Sequence, residues 1–241
     1  MRLITDQKLV NRNLWIGKYS FYAGMALLVV ALIVNFMALR PENQQWVVYA
    51  FAAFLIGFTL TNVGTFFNNR WGRRPDKGLA DALRGLDDRY TLYNYRLGAA
   101  HVLVGPSGVH VLVPKFQSGP ISYSNGKWLN AGQARGFLFG MFARDPLGNP
   151  SAEAAAEAES LNAFLKKRAP EVGIAPQALV VFMHPRAEVS AKESPVPALH
   201  VKQLKEHLRR HPKGATIAAA AQADLEAKLG LAPRRDEPEA P

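Results

Sequence analysis

Few side chains in this sequence stand in patterns that support chemistry, and the most suggestive is a lysine near the end of a β-branched run. Lys115 follows Val109–Val113 with one proline between them. Cysteine is absent, which excludes disulfides and thiolate metal sites. None of the six histidines lies in a recognisable metal-ligand spacing. Carboxylates that could bind a hard cation such as Mg²⁺ occur at Asp76, Asp87, Asp88 and Glu153.

The chain is strongly basic, with a formal net charge of +10 at pH 7. Such a balance suits nucleic acid and an anionic lipid surface equally well. The candidate contacts for nucleic acid or lipid are Lys115 and a basic cluster, which consists of Arg70, Arg73, Arg74 and Lys77. Further along the chain the basic residues stand singly, whereas a nucleic-acid groove is typically lined by a continuous basic stripe.

Two long uncharged runs near the start predict a transmembrane hairpin over residues 19–67. They are Tyr19–Leu39 and Trp46–Phe67, and each reaches the roughly 20 apolar residues that a helix needs to cross the hydrocarbon core. Only Arg40–Gln45 separates the runs, so the two helices must be antiparallel neighbours. Small residues that would let the first helix pack closely lie along one side of the second, at Gly57, Thr61 and Gly64.

The basic flanks predict how this hairpin is oriented. Lys and Arg are frequent before the first run and after the second, whereas the loop between them has only Arg40, beside Glu42. By the positive-inside rule, both termini are then cytoplasmic and the protein is a multi-pass component of the cell (inner) membrane. The lipid bilayer is therefore an expected partner.

The rest of the chain divides into segments by composition. Residues 1–18 form a basic N-terminal arm, in which residues 3–16 are either a short interfacial helix or disordered. The remaining segments are a basic linker (68–77), a soluble domain (78–213), an Ala-rich helix (214–230) and a disordered tail (231–241).

The soluble domain shows the alternation of elements that predicts an α/β fold with a small mixed sheet. Asn149 followed by Pro150 predicts a helix start, because an asparagine caps well and proline suits the first helical position. Predicted helices contain Leu79–Leu86, Pro150–Lys167 and Lys202–Arg210. Predicted strands are Tyr90–Leu97, His101–Val104, Val109–Val113, Ile121–Ser124, Lys127–Leu129, Ala178–Met183 and Leu199–Val201.

This order of elements, with its local motifs, resembles the NERD (nuclease-related) domain, a relative of the restriction-endonuclease-like fold. The most specific stretch is His101–Ile121, HVLVGPSGVHVLVPKFQSGPI. In the family, the corresponding region has an Asp before the first strand, a GP-x-G turn and a second strand ending in Glu-x-Lys. The resemblance covers about Asp76–Arg210 and implies a restriction-endonuclease-like soluble domain after the hairpin.

The resemblance also implies that the active site is degenerate. The family's metal-binding Glu falls at Val113, and its Asp falls at Ala100, while the Lys is retained as Lys115. Asp76 and Glu153 are the possible remnants of the family's helical acidic and amide residues. Phosphodiester hydrolysis needs Mg²⁺ held by hard oxygen ligands. A site without both strand carboxylates should bind no metal, so we expect no cofactor and no catalysis.

Three hypotheses for function remain open from the sequence. The first is a membrane-anchored, non-catalytic NERD-like module at the cytoplasmic face, with nucleic acid as a possible ligand. The second is a membrane-anchored structural protein that binds a protein partner and has no role with nucleic acid. The third is an active Mg²⁺-dependent nuclease with a displaced site built from the scattered carboxylates.

Overall fold

The computed structural model describes residues 1–131, 146–168, 170 and 175–210, and the chain forms two compact units. One unit contains Met1–Asp6 and Asp76–Pro241, and the other contains Gln7–Pro75. The α-helices of the described part are α1 (Gln7–Ala38), α2 (Trp46–Trp71), α3 (Pro75–Leu83), α4 (Pro150–Arg168) and α5 (Leu204–Arg210). The predicted Ala-rich helix and the tail lie outside the described residues.

The hairpin unit consists of α1 and α2, joined by a single 3₁₀ turn at Pro41–Asn43. Both helices are long and apolar enough to cross a membrane. Only 17% of the most apolar window of each is buried, whereas the core helix of a soluble protein would be mostly buried. The helices extend beyond the predicted spans, because α1 begins at Gln7 and α2 continues to Trp71.

Close packing between α1 and α2 depends on glycines of both helices. A Cβ added at Gly24 would lie 2.7 Å from the carbonyl oxygen of Gly57 and would overlap Thr61. A Cβ added at Gly64 would lie 2.6 Å from the Cα of Phe21. The predicted packing role of the small residues of α2 is therefore confirmed, and Gly24 is its counterpart on α1.

The other unit contains two sheets. The strands of the described residues are β1 (Arg2–Thr5), β2 (Thr91–Asn94), β3 (His101–Gly105), β4 (Gly108–Lys115), β5 (Gly119–Ser124), β6 (Lys127–Asn130), β7 (Gln177–Phe182), β8 (Ala187–Ser190) and β9 (Ala198–His200). The larger sheet has the order β1-β2-β3-β4-β7-β9, in which only β3 runs antiparallel to its neighbours. The smaller sheet has the order β6-β5-β8. The predicted α/β class with a mixed sheet is confirmed.

Helices cover both faces of the larger sheet. On one face α4 packs through Ala154, Leu161 and Leu165 into a core with the valines of β3 and β4. On the other face, a second core contains two leucines of α3 (Leu79 and Leu83), two of α5 (Leu204 and Leu208) and Leu86, which lies just after α3. Alternating residues of each central strand enter opposite cores, which is why these strands are mostly apolar on both faces.

The expectation for the start of the chain is wrong for Arg2–Thr5. These residues are neither helical nor disordered but form β1, an edge strand that pairs in parallel with β2. A buried hydrogen bond holds the strand, in which the Asn94 side-chain amide donates to the Thr5 hydroxyl over 3.1 Å. Parallel pairing needs a partner distant in sequence, and a four-residue segment has no periodicity of its own that would predict it.

The predicted basic linker at residues 68–77 is also largely helical. Its first residues complete α2, which ends at Trp71, and Pro75 begins α3, so that only residues 72–74 connect the two helices. Proline at the first helical position explains the new start. Within the predicted strand Tyr90–Leu97, only Thr91–Asn94 is extended, and β8 was not predicted from the sequence.

Candidate functional site

The two positions that the resemblance assigns to metal-binding carboxylates lie on one hairpin, Ala100 just before β3 and Val113 within β4. β3 and β4 pair with Val102 opposite Val111 and Leu103 opposite His110. This pairing ends at Val102 and Val111, and Ala100, two residues before Val102, lies in the loop before β3. An extension of this register by two residues would set Ala100 opposite Val113, and directly opposed residues have Cβ atoms about 4.5–5.5 Å apart, close enough for two carboxylates to share one ion.

The side chains at these positions cannot bind a hard cation. Val113 is 9% exposed and belongs to the core under α4, and it pairs in the sheet with Val180 of β7. Ala100 lies in the loop before β3, where its carbonyl oxygen accepts a hydrogen bond from the Tyr95 N–H over 2.8 Å. The side chains at these two positions are therefore hydrocarbon and provide no oxygen ligand for Mg²⁺.

Lys115, two residues beyond Val113 on β4, forms an ion pair with Glu153 of α4. Its ammonium lies 2.6 Å from Glu153 Oε2 and donates a longer bond of 3.4 Å to the Leu147 carbonyl oxygen. The lysine side chain is 11% exposed, whereas that of the glutamate is 49% exposed. The structure thus brings together two of the residues singled out from the sequence, and the charge of Lys115 is already balanced by Glu153.

A second glutamate of α4 completes this group and was missed in the sequence analysis. Glu157 Oε2 accepts a hydrogen bond from the backbone N–H of Ala100 over 3.0 Å. Residues four apart lie on the same face of a helix, so Glu157 is the neighbour of Glu153. The spacing of Glu153 and Glu157 is visible in the sequence. It identifies Glu157 as part of the site only once the contacts of these glutamates with Lys115 and Ala100 are known.

The start of α4 holds both glutamates in place. The Asn149 side chain accepts a hydrogen bond from the Ala152 N–H over 3.1 Å, and Pro150 occupies the first helical position. One turn beyond Glu157, the Ser160 hydroxyl donates to the Gly98 carbonyl oxygen over 2.6 Å. The predicted helix start is confirmed, and the helix is fastened to the loop that precedes β3.

The other carboxylates proposed for a displaced site are carried elsewhere. Asp76 is buried in the first turn of α3, on the opposite face of the sheet from α4. Asp87 and Asp88 precede β2, whose first residue pairs with the end of β3, so they lie at the end of the sheet opposite Lys115. Across the described ranges, no group of three or more His, Asp or Glu could hold a metal.

Asp87 and Asp88 already have local partners. Asp87 accepts hydrogen bonds from the side chain and the backbone of Arg89, and the side-chain bond is the largest of the effects that lower the Asp87 pKa. Asp88 lies 2.6 Å from the Met1 ammonium. Both carboxylates therefore stabilise a turn and the start of β1 at the surface, and neither lies at the Glu153 end of the sheet.

The basic cluster predicted to contact nucleic acid or lipid does not lie on a single element. Arg70 is in the last turn of α2, Arg73 and Arg74 are in the connection, and Lys77 is in α3. Arg74 adopts a left-handed backbone conformation, with φ 46°, where the chain turns from α2 into α3. The side chain of Lys115, the remaining candidate, is 11% exposed, and its ammonium is bound by Glu153.

Comparison with known proteins does not identify this arrangement. No family model matches the chain, and neither the curated proteins nor the solved structures include a significant match.

Proposed function

We propose that this protein is a membrane-anchored, non-catalytic module built on a nuclease-related, restriction-endonuclease-like framework, and that it acts at the cytoplasmic face by binding another molecule. The observation that carries the proposal is the register of β3 and β4, which on extension by two residues into the loop before β3 would set Ala100 opposite Val113. The resemblance assigns both strand carboxylates to this one hairpin, as a two-carboxylate metal site would require. Both are occupied by residues that cannot ligate a metal.

The order of elements around this pair supports the nuclease-related framework. After α3, the strands β2, β3 and β4 form an antiparallel meander, then α4 crosses over and β7 returns parallel to β4. That is the order of helix, antiparallel strands, helix and strand on which the resemblance was based. Lys115 and Glu153, the retained lysine and the helical remnant, contact each other at the end of β4.

The connectivity supports the membrane topology. The chain leaves the sheet-containing unit at Asp6 and re-enters it at Asp76, after the two apolar helices. A hairpin with that connectivity has both ends on one side of the membrane. The basic flanks favour the cytoplasmic side, so that the sheet-containing unit is cytoplasmic as well.

The nuclease hypothesis can be tested on the full chain in detergent with Mg²⁺ or Mn²⁺. We expect no cleavage of single- or double-stranded DNA or RNA, and no effect of Mg²⁺ on the melting temperature. Ala100→Asp with Val113→Glu should lower stability without metal, because one unpaired carboxylate becomes buried and a second becomes partly buried. Mg²⁺ at ten times its Kd should then restore about 1.4 kcal/mol.

A matched control is Ala100→Asn with Val113→Gln, which has the same side-chain shapes without the charges. This variant should not respond to Mg²⁺. Metal-dependent cleavage by the parent that persists in Lys115→Ala would overturn the non-catalytic proposal. A double carboxylate variant that is indifferent to Mg²⁺ would show that the two positions do not form an ancestral metal site.

A second candidate is a protein-docking module without a nucleic-acid role, and the state of Lys115 favours it. A lysine that is 11% exposed and paired with Glu153 is poorly placed to contact a phosphate backbone. An electrophoretic shift assay, with nucleic acid and the full chain at two salt concentrations, discriminates between a nucleic-acid-binding module and a protein-docking module. Nucleic-acid binding should weaken steeply with salt, because bound counterions are released. Absence of a shift at low salt would favour the docking module.

A further inference from the structure

The hairpin unit contains a groove of about 410 Å³ between α1 and α2 that combines one cation with apolar walls. Its lining, which defines the Lys18 groove, consists of Leu14, Lys18, Phe21, Tyr22 and Asn68. The Lys18 side chain is exposed, and its ammonium lies 6.0 Å from the centre of the Tyr19 ring. Among the described residues, no carboxylate forms a salt bridge with Lys18.

The two polar groups of the groove lie at the same level along the hairpin. Lys18 immediately precedes the uncharged run that begins at Tyr19, and Asn68 immediately follows the run that ends at Phe67. In an inserted hairpin, both therefore lie at the boundary of the hydrocarbon core, where lipid phosphates are found. The Asn68 amide donates one long bond of 3.4 Å to the Gly17 carbonyl oxygen, and its second N–H remains available for a ligand.

We propose that the Lys18 groove binds the headgroup of an anionic phospholipid. The Lys18 ammonium would pair with the phosphate, the Asn68 amide would donate to a phosphate oxygen, and the first part of an acyl chain would pack on Phe21 and Tyr22. The apolar walls favour a lipid over nucleic acid, which cannot enter the hydrocarbon boundary. The inference rests on the membrane insertion that is part of the proposed function.

Native mass spectrometry of the full chain in detergent tests this inference with palmitoyl-oleoyl phosphatidylglycerol and the corresponding phosphatidylcholine. We expect one tightly bound phosphatidylglycerol per chain. Lys18→Gln should raise its Kd about five-fold, the effect of one basic residue next to anionic lipid. Asn68→Leu should also weaken phosphatidylglycerol binding, and phosphatidylcholine binding should not change in either variant.

The matched control is Lys8→Gln, the same substitution at another exposed lysine of α1. Lys8 lies about 15 Å from Lys18 along the helix axis, beyond a screening length of about 8 Å, and its loss should not weaken binding. Equal weakening by both substitutions would mean diffuse attraction to basic charge and would overturn the proposal. Absence of weakening in Lys18→Gln would overturn it as well.

Two further measurements separate this inference from the assumptions behind it. Inorganic phosphate that displaces phosphatidylglycerol at a similar concentration would identify a general phosphate site and overturn the lipid assignment. Flotation with vesicles of phosphatidylglycerol and phosphatidylcholine tests insertion itself. A chain that does not float would overturn the membrane anchor and the groove together, whereas a chain that floats with unchanged Lys18→Gln affinity would overturn only the groove.

Discussion

Thr5→Val is a direct test of whether the first residues of the chain belong to the sheet. Thr5, Asn94 and His101 are buried and linked, because the Asn94 amide donates to the Thr5 hydroxyl over 3.1 Å and its oxygen lies 2.7 Å from His101 Nδ1. Valine has nearly the same shape as threonine but leaves the Asn94 N–H without its acceptor. An unsatisfied buried donor costs about 1–3 kcal/mol.

Hydrogen exchange measured by mass spectrometry on the full chain is the appropriate assay, because it does not require reversible unfolding in detergent. A loss of about 1–3 kcal/mol should accelerate exchange of the β1 and β2 peptides about 5- to 150-fold. Thr5→Ser retains the hydroxyl and removes one methyl group, so it should cost only about 0.8 kcal/mol. Unchanged exchange in Thr5→Val would refute the assignment of β1 to the sheet and would favour the alternative of a disordered N-terminal arm.

Two further predictions concern the hairpin. Gly64→Val should destabilise the packing of α1 against α2 by about 1–3 kcal/mol, since its Cβ would overlap the backbone of the first helix. The control is Val63→Leu, on the exposed side of the same helix, which should be neutral. Thermal unfolding in detergent compares the two variants. A cysteine introduced at Asn43, in the short loop, should react with a membrane-impermeant reagent added to intact cells. Labelling only after lysis would contradict the orientation derived from the basic flanks.

The position of β1 changes how the domain should be handled experimentally. The sheet-containing unit is discontinuous, because the hairpin is inserted between its first strand and the rest. A fragment that simply starts after the hairpin lacks an edge strand and exposes the hydrogen-bonding edge of β2. For this reason, the experiments above use the full chain.

Much of the architecture could be predicted because its signals are local. The two apolar runs predict long helices by length alone, and Asn149 with Pro150 predicts the start of α4 by capping chemistry. The turn between β3 and β4 follows from glycine and proline at residues 105–108. The apolar run of β7 was correctly assigned as a buried strand, since prolines bound it on both sides. Each of these features depends on residues within a few positions of one another.

Only the tertiary structure determined which distant residues meet. Pairing of β1 with β2 joins segments 89 residues apart, as in Arg2 with Thr91, and no local pattern encodes such a register. The ion pair of Lys115 with Glu153 and the hydrogen bond from Ala100 to Glu157 likewise depend on how α4 crosses the sheet. Sequence periodicity specifies which face of an element is apolar, whereas the packing of whole elements decides which polar groups come together. Which residues make up the candidate site is therefore determined by the tertiary structure.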